Sequence, residues 1–215
     1  MQHIFSKLKN KEFEALIFDF GAVIINIDYN LTKSVFEQYG IENFDLLFSK
    51  AKQNNLFDNF EKGLISNDKF RTELRKITQI NISDFKIDRA WNSMVLDLPK
   101  ERLKLLEKLK RDFPLFLLSN TNRIHEKAFT TYIERIYGWN NFSNLFQKIY
   151  FSHHIHMRKP DSEIFELLLN ENNLRPEHTL FIDDSPQHIE GAQKVGLVTI
   201  HKTDNLDICD LFSIK

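Results

Sequence analysis

The sequence predicts an α/β fold: a Rossmann-like parallel sheet with helices on both faces, and an all-helical unit inserted after the first strand. Three observations predict it. Short runs rich in β-branched and large apolar residues recur at Ala15–Phe18, Leu115–Leu118, Thr179–Ile182 and Val198–Ile200. They lack the apolar/polar alternation of a one-sided sheet, as strands covered on both faces do. Helically spaced segments separate the later runs, whereas about a hundred residues without a comparable run lie between the first and second, far more than a crossover needs.

The first strand ends in Phe18-Asp-Phe-Gly-Ala-Val23, where an apolar run meets an acid and then a glycine. Helical spacing or N-cap signals follow at Leu31–Tyr39 with Gly40 behind it, at Phe44–Lys52, at Asn67–Thr78 after Ser66, and at Asp84–Ser93 after Ser83. They place the inserted unit at residues 29–98 and the core at 1–28 and 99–215. Pro99 opens the helix Lys100–Lys110, whose leucines form one stripe, and the second strand follows. Lys148–Phe151 is a fifth strand candidate. Pro160 precedes a helix at Asp161–Leu169, and Ser185-Pro186 begins one that Gly196 can end.

The chain has 215 residues, 42% of them hydrophobic, enough for a core of its own. Twenty phenylalanines against six glycines and five prolines point to an aromatic interior. Because 29 basic and 30 acidic residues nearly cancel, no overall field recommends nucleic acid or an anionic membrane as partner. No segment approaches the roughly 20 apolar residues of a membrane span, and no secretory leader is expected. Cys209 is the single cysteine, so no internal disulfide can form and a cytoplasmic setting fits. A monomer or weak homo-oligomer is expected.

Polar residues follow each apolar run. Asp19 follows the first, Ser119-Asn120-Thr121 the second and Asp183-Asp184 the third. In an open parallel sheet, these carboxyl ends of strands are where ligands bind. Clustered carboxylates repel unless a cation sits among them, and a hard ion such as Mg²⁺ takes oxygen ligands together with substrate phosphate. Lys159, in Met157-Arg-Lys-Pro160, adds a charge that can neutralise a phosphoryl group. Asp19 could then attack phosphorus. Taken singly, each motif is more often a turn or a helix cap. Four in order at strand ends argue for phosphoryl transfer.

These residues resemble the haloacid dehalogenase superfamily of phosphatases and related hydrolases over nearly the whole chain. Phe18-Asp-Phe-Gly-Ala-Val23 is similar to the nucleophile motif and Leu118-Ser-Asn-Thr121 to the phosphate-binding hydroxyl motif. Arg158-Lys-Pro160 is similar to the lysine motif, and Phe181-Ile-Asp-Asp184 to the acidic metal motif. The insertion resembles the family's first class of cap domain. The resemblance implies Asp19 as nucleophile, Ser119 as hydrogen-bond donor to the phosphoryl group, and Lys159 as the charge restraining both. It implies Asn120 and Thr121 as substrate-binding, and Mg²⁺ held by Asp19, the Gly21 carbonyl, Asp183 and Asp184. Asp19–Asn30, Ser119–His125 and Phe151–Pro160 further resemble the bacterial α-glucose-1-phosphate phosphatase subgroup, so a small phosphorylated metabolite, a sugar phosphate first, is the expected substrate.

Gly21 stands where the best-known members carry a second aspartate as general acid. Its loss predicts either a reactive leaving group or a substitute donor. His125, six residues after Ser119, is the candidate for that donor, although such a histidine is more often packed or exposed, and Asp28 is another. Two rival readings are a non-catalytic phosphate or metabolite binder and a carbon–halogen hydrolase. His153-His154-Ile-His156 invites a zinc or nickel site but shows no acid to complete it. Glu61 and Trp91 are possible substrate contacts from the cap.

Overall fold

The computed structural model describes residues 8, 10, 12–41, 44, 55–203 and 205–212. Its centre is a five-stranded sheet built from β1 (Ala15–Phe18), β2 (Leu115–Ser119), β3 (Lys148–Phe151), β4 (Thr179–Asp183) and β5 (Val198–His201). The strand order is β3-β2-β1-β4-β5 and every pairing is parallel. β1 is therefore central, with Ile17 level with Phe116 on one side and Phe181 on the other. Successive side chains leave a strand on opposite faces. Leu16 and Phe18 accordingly enter one apolar cluster with Leu117 and Ile182, while Ala15 and Ile17 enter a second with Phe116 and Phe181. Both faces are dry, which is why the runs read as continuous rather than alternating.

The helices are α1 (Tyr29–Gln38), α2 (Leu56–Glu61), α3 (Asn67–Thr78), α4 (Asp84–Asn92), α5 (Lys100–Leu109), α6 (Arg123–Ile136), α7 (Trp139–Ser143), α8 (Ser152–Ile155), α9 (Ser162–Glu171), α10 (Pro186–Lys194) and α11 (Ile208–Phe212). Ser66 and Ser83 cap α3 and α4 by accepting from Lys69 and Lys86 backbone N–H, as their positions in the sequence predict. Of the helix expected at 44–52, only residue 44 is among those described.

α1 to α4 stand between β1 and β2 and share a third apolar cluster in which Phe36, Phe60, Phe70 and Trp91 take part; Ile124 of α6 joins it from the core. Trp91 stacks on Phe57 with ring centroids 5.2 Å apart. The chain enters and leaves this unit through two antiparallel segments. Asn26 N–H donates to Asp97 O at 2.8 Å, Leu96 N–H to Asn26 O at 2.9 Å and Asp28 N–H to Met94 O at 2.9 Å. No helix among the described residues is long and apolar enough to cross a membrane.

Candidate active site

The strand order reverses direction at the β1/β4 boundary: β1 leads onward to β2 on one side, β4 to β5 on the other. Such a switch point opens a crevice at the carboxyl ends of the strands. Asp19 sits at the end of β1, its N–H donating to Ile182 O of β4 at 2.9 Å, and Asp183 closes β4. Hydrogen bonding of the two central strands thus holds the acids side by side.

Lys159 lies between them. Its Nζ donates to Asp19 Oδ1 at 2.5 Å, to Asp183 Oδ2 at 2.6 Å and to Leu118 O at 2.8 Å, and the residue is fully buried over the ring of Phe181. Burial acts against its charge, but Asp183 and Asp19 outweigh that cost and hold the ammonium above its ordinary value. For Asp19 burial prevails. It pushes the carboxyl above its usual range, Lys159 opposes, and the neighbouring Asp183 and Asp184 add to the rise. Asp183 is held below its usual range because Lys159 and His188 together more than offset its burial.

Asp183 spends its oxygens inward. Besides Lys159, it accepts from Ser185 N–H at 2.8 Å and from His188 Nδ1 at 3.0 Å, so that ring nitrogen carries the proton. Asp184 lines the open cleft, and burial with repulsion from Asp183 raises its carboxyl. The ligand oxygens of Asp19, Asp183 and Asp184 all lie within 4.8 Å of one another. Three carboxylates against one ammonium leave an excess of negative charge, and an all-oxygen donor set of this size fits Mg²⁺.

The cleft is about 340 Å³. Asp19, Gly21, Ser119, Asn120, Thr121 and Asp184 line it, and Lys159 and Asp183 lie behind. Among the described residues Ser119 Oγ has only a 3.5 Å contact, to Asn120 O, leaving its hydroxyl available. The side chain of Asn120 is turned to the backbone of Lys159, accepting from its N–H at 2.9 Å and donating to its carbonyl at 2.8 Å. It fixes the lysine's stem. Thr121 is buried, its N–H donating to Ser152 Oγ at 2.9 Å. Gly21 O already accepts from Val23 N–H at 2.7 Å, and a carbonyl has a second lone pair for a metal.

The backbone at Gly21 does not call for glycine; a Cβ there would lie 3.3 Å from Ile27 Cδ1, a tight contact from which that side chain would have to give by a few tenths of an ångström. Neither expected substitute acid takes over. Asp28 caps α1, accepting from Asn30 N–H at 2.9 Å. His125 does line the cleft, but its ring stacks on Trp91 at 5.4 Å, its Nδ1 donates to Asn92 Oδ1 at 2.9 Å, and burial pulls it down to about 3. A neutral imidazole whose one N–H is engaged by Asn92 is a poor proton donor to a leaving group at neutral pH, and the ring instead joins α6 to α4.

Three cleft residues, His188, Tyr29 and Arg158, escaped the sequence reading in whole or part. His188, which orients Asp183, stands one turn into α10, and an imidazole five places beyond a strand-end acid was the available signal. Tyr29, at the first position of α1, carried no signal of its own. Arg158 beside Lys159 reaches α2, with Nη1 donating to Asp58 Oδ1 at 2.7 Å and Nη2 lying 2.9 Å from Glu61 Oε2. Glu61 and Trp91 both line the cleft, and the indole N–H of Trp91 has no partner among the described residues. The histidine run is elsewhere: His153 and His154 meet Glu126, while His156 Nδ1 meets Lys62 O at 2.8 Å.

Compared with known proteins, residues 16–202 match the family described as haloacid dehalogenase-like hydrolase. The chain is 26% identical over 192 residues to a D-ribitol-5-phosphate phosphatase of Bacteroides thetaiotaomicron, covering 89% of this chain and 93% of that protein. It is 28% identical over 200 residues to a sesquiterpene phosphatase of Aspergillus oryzae, covering 92% and 93%. A crystal structure of a haloacid dehalogenase family enzyme from Bacteroides thetaiotaomicron, in complex with magnesium and inorganic phosphate, superposes with a TM-score of 0.82 at 34% identity, covering 93% of this chain and 99% of that one.

Proposed function

Since the chain belongs to the haloacid dehalogenase-like hydrolases, we propose that it is a magnesium-dependent phosphatase that hydrolyses a small phosphate monoester through an aspartyl phosphate on Asp19. One observation carries the reading: a nucleophilic carboxylate and a buried lysine share the switch point with two further carboxylates, of which Asp184 opens on the cleft. The two phosphatases and the magnesium–phosphate complex among its relatives support it.

Asp19, the Gly21 carbonyl and Asp184 would hold Mg²⁺, with Asp183 behind them keeping Lys159 in place. When bound, the ion neutralises charge on the transferring phosphoryl group. Asp19 attacks phosphorus, the bond from phosphorus to the ester oxygen breaks, and the leaving group departs as its alkoxide, which takes a proton from water. Lys159 spreads the charge of nucleophile and phosphate, and Ser119 donates a hydrogen bond to a phosphoryl oxygen. Water then cleaves the acyl phosphate, freeing Asp19 and inorganic phosphate. Residues 29–98 act as the cap over this cleft, and residues 1–28 and 99–215 as the catalytic core.

No side chain at position 21 protonates the departing oxygen, so the reaction depends on a leaving group that is stable as it leaves. An anomeric sugar phosphate meets that need. The cleft wall suits it too, because Phe57, Trp91 and Met94 offer apolar contact while Tyr29, Glu61 and Arg158 can meet hydroxyls. The carboxylate cluster argues against the carbon–halogen reading, since that chemistry creates no phosphate charge for a cation to offset.

A panel of alkyl, anomeric and acyl phosphates, run with and without Mg²⁺, tests the proposal. Turnover should require Mg²⁺, disappear in Asp19→Asn, and rise steeply with the acidity of the leaving group. Undiminished activity of Asp19→Asn would refute the covalent step, and phosphate-ester binding without turnover would establish the non-catalytic alternative. Gly21→Asp combined with Ile27→Val, which makes room for the new side chain, should raise alkyl phosphate turnover by about 10²–10⁴.

A further inference from the structure

The geometry points to a second metal site, selective for a first-row divalent ion such as Zn²⁺, formed by Glu126, His153 and His154 where α6 meets α8. His153 Nε2 lies 2.9 Å and His154 Nε2 3.1 Å from the same oxygen, Glu126 Oε2, and the three ligand atoms fall within 4.8 Å of one another. Two imidazoles and a carboxylate prefer zinc, copper or nickel over Mg²⁺. Bonds to zinc of about 2.0–2.2 Å put tetrahedral ligand atoms roughly 3.3 Å apart, so the two N···O separations need to widen by only a few tenths of an ångström. The fourth position opens to water, because the side chain of His154 is 50% exposed while that of His153 is fully buried. Without a metal each Nε2–H donates to Glu126; a bound ion would displace those protons, and Nδ1 of His153, which has no partner among the described residues, is where that ring's proton can move.

This site is separate from the carboxylate cluster of the cleft and shares no ligand with it. It nevertheless touches the inserted unit. Ser152 Oγ, the first residue of α8, donates to Glu61 O at 2.6 Å, and the carbonyl of His153 packs against Gly63 closely enough that a Cβ there would come to 2.3 Å. A metal that ties α8 to α6 therefore stiffens the seat on which the Glu61–Gly63 segment rests, and Glu61 lines the cleft.

Calorimetric titration of the full chain with Zn²⁺, with Mg²⁺ already saturating, tests this. One Zn²⁺ per chain should bind, and the thermal midpoint should rise with it. Glu126→Gln and the surface change His154→Ala should each weaken binding by at least about tenfold, while His156→Ala, outside the cluster, and Asp184→Asn should leave it intact. Absence of saturable binding, or binding that survives Glu126→Gln and His154→Ala but is lost in Asp184→Asn, would overturn the assignment.

Discussion

Lys159 is the residue on which the site's charge balance turns. It offsets Asp19 and Asp183 from a fully buried position, so Lys159→Met, similar in length and uncharged, strands two carboxylates in the interior. Removing one partner of a buried ion pair costs about 3–5 kcal/mol. Urea unfolding should show a loss of that order, partly restored by Mg²⁺, with turnover abolished. His125 makes a pH prediction. Its folded-state value, about 3, lies below the ordinary 6.5, so the unfolded chain binds the extra proton first. The stability due to neutral His125 is complete above pH 6.5 and is lost as pH falls from there toward 3. Stability curves of the wild type and His125→Phe should differ in slope by about 1.36 kcal/mol per pH unit within that window and run parallel above it. Equal slopes would remove the buried-histidine argument. The meeting of Asp19, Ser119 and the acid pair was legible because each follows an apolar run and the strand ends must converge, whereas Lys159 was reached only through its motif. The roles of Asn120 and His188 were not, since holding Lys159 by its backbone or turning Asp183 leaves no mark in spacing.

At the scale of elements, legibility followed burial. β1, β2 and β4 are covered on both faces and every residue in them is buried, so their runs stood out. β3 lies at an edge with Lys148 exposed and Ile149 half-buried, which is why its signal was fainter. α8 was invisible: four residues, Ser152-His-His-Ile155, are too short for a helical period. Yet this short helix seats the inserted unit, and Gly63 is the contact. With φ at +65° and no room for a Cβ before the His153 carbonyl, the position admits only glycine. Gly63→Ala should cost about 2 kcal/mol or more from the left-handed backbone and the clash together. Because the displaced segment carries Glu61, KM should rise more than kcat falls, and a variant with wild-type KM and stability would show the contact to be slack.

For the whole molecule, the cleft is assembled from both halves of the sheet and from the insertion, so ligands that bridge these parts should stabilise all of them. Mg²⁺ with inorganic phosphate, at about 100 times the dissociation constant, should add about 2.7 kcal/mol to unfolding, and phosphate alone much less because the unneutralised acids repel it. Thermal scans at fixed protein concentration would read this. The insertion meets the core through polar bridges, among them Arg158 with Asp58 and Lys62 with Asp161 at 2.8 Å, and through the apolar contacts of Ile124 and the Trp91–His125 stack. The strand order has a further consequence, for synthesis. β1 lies in the middle of the sheet, yet the neighbour that pairs Ala15 with Thr179 is translated only after the insertion, β2 and β3. Until then one edge of the most apolar strand has no partner, the lysine that meets Asp19 from 140 residues away has only just been added, and the emerging polypeptide is both inert and adhesive. The inserted helices, complete long before β4, are what a ribosome-bound chain can fold in the interval.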